Sequence, residues 1–421
     1  MAKSLAVWIG KSNDTPAKTR TNNESVSEAE EAEAEAEAEA EAATMEADAF
    51  QSNATVRGLE LHFNYWVLND KNLNRKKPLP QDNTWLGPFK IIFWAIHFLC
   101  VFFKWLISFA KERETTTYLD VGVRFSKVES SETINIFFPF KISPQDYDSQ
   151  LGLKVANDVL LLSAIFNTEV ESIEFRDNLY HHSDITFLSA ERKSKKGVRF
   201  YTNIDLQVSE NNPLGAGVKL HEVVDEGSIL SFPVKNFILD DTFKDGYFRF
   251  RLILNTLSKK ALSTYYVPSD SFMLTTEEAM EIIDFRVNEI RNTPENVNAL
   301  LTPSNILKKV HFFIIREVKS EYVMSDTSYT RSRLLEGDLW KKYLQSYHTK
   351  PIKSVPKMLI YHWKSTNEDK KEHLENFSAF AKFKHTRRSA WIILRSILIG
   401  LVFSIFANWL YDFLKDLLKS S

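Results

Sequence analysis

The sequence predicts an α+β protein: a largely antiparallel, β-rich domain with interspersed helices, plus two hydrophobic membrane helices. Three observations lead there. Residues 113–385 hold many short runs of alternating, β-branched or aromatic residues bounded by turn residues. Helical patterns interrupt these runs without regular alternation, which argues against a doubly wound sheet. Two segments, 86–111 and 390–411, are far more apolar than their surroundings.

Composition sets the outer limits. The 421 residues are 44% hydrophobic and 26% charged. These are globular values, which exclude a collagen-like or fully disordered chain. Cys100 is the one cysteine, so no intrachain disulfide can form and a reducing compartment fits. The net charge of −2 hides an asymmetry. Eleven carboxylates and no Lys or Arg lie between Glu24 and Asp48, and without them the net charge becomes +9. A basic body joined to an acidic segment points to an anionic partner or to a solubilising tail.

Residues 1–58 read as an acidic, low-complexity, disordered tail. Ala and Glu favour helix, but like charges at i,i+4 repel and the EAEAEA run has no apolar face. Residues 59–85 read as a basic linker, although they open on the apolar patch LELHFNYWVL. In 86–111, Lys90, His97, Lys104 and Lys111 recur every seven residues and form one polar stripe on a helix. A mid-span cation costs about 2.5–3.5 kcal/mol on insertion scales. The stripe therefore faces headgroups from an interfacial helix, or a partner or water from a transmembrane one.

Within 113–385, strands are expected at 118–125, 133–142, 185–191, 197–206, 218–224, 247–254 and 310–318. Helices are expected at 148–166, 276–292 and 328–346. The second has Thr275 and Glu278 as a capping box and Pro294 as a stop.

Residues 390–411 predict a C-terminal transmembrane helix, because 22 residues rise about 33 Å against a hydrocarbon core of about 30 Å. Lys382, Lys384, Arg387 and Arg388 precede it, and only Lys415 and Lys419 follow. That bias predicts a membrane protein with 113–385 in the cytoplasm. Ser396, Gly400, Ser404 and Asn408 form a small-residue row suited to close helix packing, within the chain or between copies.

Chemistry is sparse. The chain lacks a P-loop, a G-x-S-x-G elbow and an H-E-x-x-H pair, and no cofactor is expected. The best metal candidate is Asp177, His181, His182 and Asp184, although adjacent histidines point apart on a strand. Arg192, Lys193, Lys195, Lys196 and Arg199 form a basic hairpin patch for an anionic headgroup or, with less support, nucleic acid.

Two hydrophobic segments bracketing one β-rich domain without an active-site signature give a layout that resembles bacterial phage-defence membrane effectors of the retron-associated type. The likeness is architectural and carries over no residue roles. It implies a non-catalytic effector or sensor in antiviral defence. Its cytoplasmic domain would bind a ligand or protein partner, and its helices would self-associate and perturb membrane lipids. A passive tail-anchored scaffold and a membrane-bound enzyme acting on nucleotides or lipid headgroups are the alternatives.

Overall fold

A computed structural model describes residues 3–11, 57–69, 115–176, 181–188, 197–206, 217–237, 239, 243–266, 277–301, 306–345, 356–366 and 373–387. It also describes single helical positions between 397 and 415.

Alternation decides the architecture. Along β2 (Gly58–Asn69), Leu59, Leu61, Phe63, Tyr65 and Val67 enter an apolar core, while Glu60, His62, Asn64 and Trp66 point to the other face. β3 (Thr115–Ser126) pairs with β2 antiparallel from Gly58↔Ser126 to Asn69↔Thr115 and inherits that division. β11 (Asp245–Leu254) pairs with β3 and places Phe248, Phe250 and Leu252 in the core, with Tyr247, Arg249 and Arg251 opposite. On the other side, β14 (Leu307–Glu317) runs parallel to β2, and β17 (Met358–Thr366) runs antiparallel to β14.

These strands centre a ten-stranded mixed sheet. Its order is β16 (Arg331–Leu334), β17, β14, β2, β3, β11, β8 (Gly197–Tyr201), β7 (His182–Phe187) and β6 (Val170–Arg176), with β5 (Tyr147–Asp148) paired to β11 off this path. β8 lies parallel to β11.

Two four-stranded sheets pack on the apolar face. One is β1 (Ala6–Lys11), β4 (Glu132–Phe138), β10 (Gly227–Pro233) and β9 (Lys219–Val223). The other is β12 (Ser263–Tyr266), β13 (Glu277–Val287), β18 (Phe377–Arg387) and β15 (Ser320–Ser325). Val7, Ile136, Phe232, Phe285 and Phe383 from these sheets join the core of the large one. Short helices cover part of the opposite face: α1 (Gln150–Ala156), α2 (Val159–Phe166) and α5 (Gly337–Leu344). Their Leu151, Leu161, Leu162, Trp340 and Tyr343 pack with Trp66, Tyr118, Tyr247 and Ile315. The remaining helices are α3 (Thr256–Leu262) and α4 (Glu295–Leu301).

The expected α+β class is corrected to a mainly β protein with mixed and antiparallel sheets. Residues 276–292 show why. Of these, Glu277–Val287 form strand β13 and only Ile290–Asn292 a short 3-10 turn, and Ala279, Glu281, Ile283, Phe285 and Val287 are buried while their neighbours are half-buried. This is a strict period of two. A glutamate in the apolar register hid it, and Arg316 on β14 neutralises that glutamate. The helix expected at 328–346 shrinks to α5, preceded by β16. That at 148–166 breaks at Asn157, and Asp158 caps α2 by accepting from the Leu160 and Leu161 N–H groups at 3.0 and 3.2 Å. Residues 6–11 and 58–69, read as tail and linker, are strands.

The two expected membrane helices are also corrected. Among the described residues, no helix is long and apolar enough to cross a membrane. Helices α2 and α5 have eight residues each, a rise of about 12 Å. Segment 86–111, with Lys90, His97, Lys104 and Lys111, lies outside the described residues, as does Ser396. Gly400, Ser404 and Asn408 are helical and exposed, and a Cβ on Gly400 would meet nothing within 4 Å.

Candidate metal centre

The polar face of the large sheet is not uniformly covered. Helix α5 seals one end of it, and the end where β2 begins stays partly open. Glu60 and His62, two residues apart on β2, point the same way. The parallel register sets His311 beside His62, and His362 on β17 lies across from Phe313 on β14. One carboxylate and three imidazoles from three neighbouring strands thereby meet on one face.

Their geometry is convergent. His62 Nε2 and His311 Nε2 each lie 3.2 Å from Glu60 Oε1. One ligand atom from each of Glu60, His62 and His311 falls within a span of 4.8 Å. Bonds of about 2.0–2.1 Å in a tetrahedral zinc site set ligand atoms about 3.3 Å apart. Two of the three edges already have that length. The rings of His62 and His311 meet edge to face at 4.9 Å and 82°.

Each imidazole is held by its other nitrogen. His311 Nδ1 is 2.8 Å from His362 Nε2, and His62 Nδ1 is 3.5 Å from the Tyr247 hydroxyl. Without metal, His311 Nε2–H donates to Glu60; with Nε2 on a metal, Nδ1 would carry the proton and donate it to His362. That needs a neutral His362. Burial, and then the positive charges of His311, His62, Lys364 and Lys309, push its pKa down to about 3. Burial likewise pushes His62 down to about 4, against the opposing pull of Glu60. Burial alone would raise Glu60, but hydrogen bonds from His311 and His62 and the charges of His62 and Lys309 hold it well below the usual carboxylate range. A neutral imidazole at His62 and an ionised carboxylate at Glu60 are ligand forms a transition metal requires.

The chain of contacts continues inward. Arg249 donates to the Tyr247 hydroxyl at 3.0 Å and to that of Tyr343 at 2.9 Å, and Tyr343 donates to Asp120 at 2.6 Å. Asp120 also accepts from Trp66 Nε1 at 2.7 Å and from Arg251 at 2.6 and 3.0 Å. Gly122 makes room for this row. A Cβ there would lie 2.1 Å from the Tyr247 hydroxyl and 3.0 Å from Arg249 Nη1.

The metal candidate read from the sequence is placed differently. Asp177 lies outside the described residues. His181 has a left-handed backbone, φ 38°, and its carbonyl accepts from Thr202. Asp184 is buried and held by both Arg199 Nε at 2.7 Å and Nη2 at 3.2 Å, with His182 Nε2 at 3.7 Å. Arg199 is therefore a wall residue, not part of an exposed basic patch. Arg192, Lys193, Lys195 and Lys196 lie outside the described residues.

Sequence reasoning missed Glu60, His62, His311 and His362. A faint signal existed. Each histidine interrupts an otherwise apolar β run, in LELHFNYWV, VHFFII and LIYHWK, and Glu60-x-His62 has the one-face spacing of a strand. No local motif links positions 62, 311 and 362.

Comparison of the chain with family models, with curated proteins and with solved structures gives no match.

Proposed function

We propose that this protein is a non-catalytic sensor whose β body binds a divalent transition-metal ion through Glu60, His62 and His311. The carrying observation is the pair of imidazole Nε2 atoms, each 3.2 Å from the same Glu60 oxygen. Their outer nitrogens are already engaged, as ligating histidines require. Histidine and carboxylate ligands suit zinc and its neighbours better than calcium or magnesium.

Binding is favoured over catalysis by what borders the site. A general base in reach of its proton assists turnover of a metal-bound water. Cations stand beside Glu60 instead: Lys309 Nζ at 3.5 Å and Arg124 Nη1 at 3.9 Å. The neighbouring carboxylate Asp245 is occupied by Arg124, at 2.6 and 3.2 Å.

The test is calorimetric titration of the chelator-treated full chain with Zn²⁺. One equivalent is expected to bind the wild type, with loss of binding in His62→Ala and His311→Ala. Equal binding by all three proteins would refute the assignment.

A further inference from the structure

Cationic side chains surround the metal centre on the sheet face. Lys309 and Arg124 flank Glu60 directly. Lys364 is the register partner of His311, and Arg331 is that of His362, so both project from the same face. Both are exposed, and among the described residues neither has a carboxylate partner. Lys308 Nζ reaches Ser126 at the end of β3, opposite the start of β2 and beside Lys127. Among the described residues at this end, Glu60 is a proposed ligand, Asp245 is held by Arg124, and Glu132 is paired with Arg57.

A divalent ion bound by one carboxylate keeps a net positive charge. Three protein ligands leave a fourth tetrahedral position. Half-buried Lys309 and exposed Lys364 lie on the same face as these ligands, and a neutral fourth ligand would leave their charges and the metal's unbalanced. Separate lysine ammonium groups act as point charges around a multi-oxygen anion, as they do around phosphates.

We infer that the fourth position of this centre takes a phosphate group, steered and held by Lys309, Lys364 and Arg331. This rests on the metal reading above, since the phosphate oxygen is placed as a ligand to the ion. The chemistry is shared by free phosphate, a phosphate monoester and a lipid headgroup phosphate.

The experiment uses the full chain and separates the two claims. Zn²⁺ is titrated first, so absence of zinc binding defeats the metal reading itself. Inorganic phosphate and a nucleoside monophosphate are then titrated into zinc-loaded and chelator-treated protein, with acetate as the carboxylate control. Vesicles of phosphatidic acid in phosphatidylcholine, against phosphatidylcholine alone, provide the lipid arm. Phosphate affinity at least tenfold higher in the zinc-loaded protein is expected. A double variant, Lys364→Ala with Arg331→Ala, is expected to lose most of that affinity while binding zinc as the wild type does. Preference for the monophosphate identifies a soluble ligand, and preference for phosphatidic acid vesicles identifies a headgroup; both support the phosphate assignment. Zinc binding with no phosphate effect, or an equal response to acetate, overturns it.

Discussion

Asp120 and Glu60 occupy the same face of adjacent strands, yet their surroundings assign them opposite tasks. Asp120 is fully buried and surrounded by donors that do not leave: Arg251 twice, Trp66 and Tyr343. Helix α5 closes over it through Tyr343. Glu60 sits four residues from Asn64, the register partner of Asp120, at the end α5 does not reach. Its main donors are imidazoles, which can exchange a proton for a metal ion. A carboxylate saturated by permanent donors is structural. One held by exchangeable donors at an open rim is available for binding.

Breaking the closed end should have the largest effect. Asp120→Ala leaves Arg251 buried without its carboxylate, and loss of one partner of such a pair costs about 3–5 kcal/mol. Urea unfolding reads this directly. A loss below 1 kcal/mol would remove the distinction between the two carboxylates.

Acid sharpens the comparison at the open end. In chelator-treated protein, folded His62 titrates at about 4 against 6.5 for the free side chain. The unfolded chain therefore holds more protons between these values, and stability falls as pH drops from 6.5 toward 4. The expected loss is on the order of a few kcal/mol, and His362 acts in the same direction. His62→Gln should flatten that part of the pH profile; an unchanged slope would contradict the burial argument.

Metal adds a stabilisation of similar size. An excess of Zn²⁺ at 100 times its Kd should raise stability by about 2.7 kcal/mol. His62→Ala and His311→Ala should abolish that increment, and Asp120→Ala should retain it wherever the protein folds. His362→Ala has a smaller effect, because outer partners of ligating histidines typically carry 10–100-fold in metal affinity. Thermal shift against zinc concentration measures each of these. The smallest effect is expected at the exposed Lys141–Glu222 pair, where Lys141→Ala should stay within about 0.5 kcal/mol.

Much of the β framework is legible in the sequence. The runs at 118–125, 218–224, 247–254 and 310–318 all lie in or overlap strands, because their alternation matches a sheet with one apolar face. What misleads is polar residues in core register. Glu281 disguises β13 as a capped helix until Arg316 is seen beside it. β2 reads as a linker opening because its polar side carries Glu60 and His62, the residues that form the site. The site itself is invisible to local motifs, since its histidines come together only through the parallel pairing of β2 with β14 and the antiparallel pairing of β14 with β17.

The most direct test of the account is the visible spectrum of the chelator-treated full chain during titration with Co²⁺. Tetrahedral or five-coordinate nitrogen and oxygen ligation gives d–d absorption far stronger than that of hydrated, octahedral Co²⁺. Such a band is expected to grow to one equivalent, to disappear on Zn²⁺ addition and to be absent from the His62→Ala, His311→Ala double variant. A spectrum indistinguishable from aqueous Co²⁺, or the same band in the double variant, would contradict it.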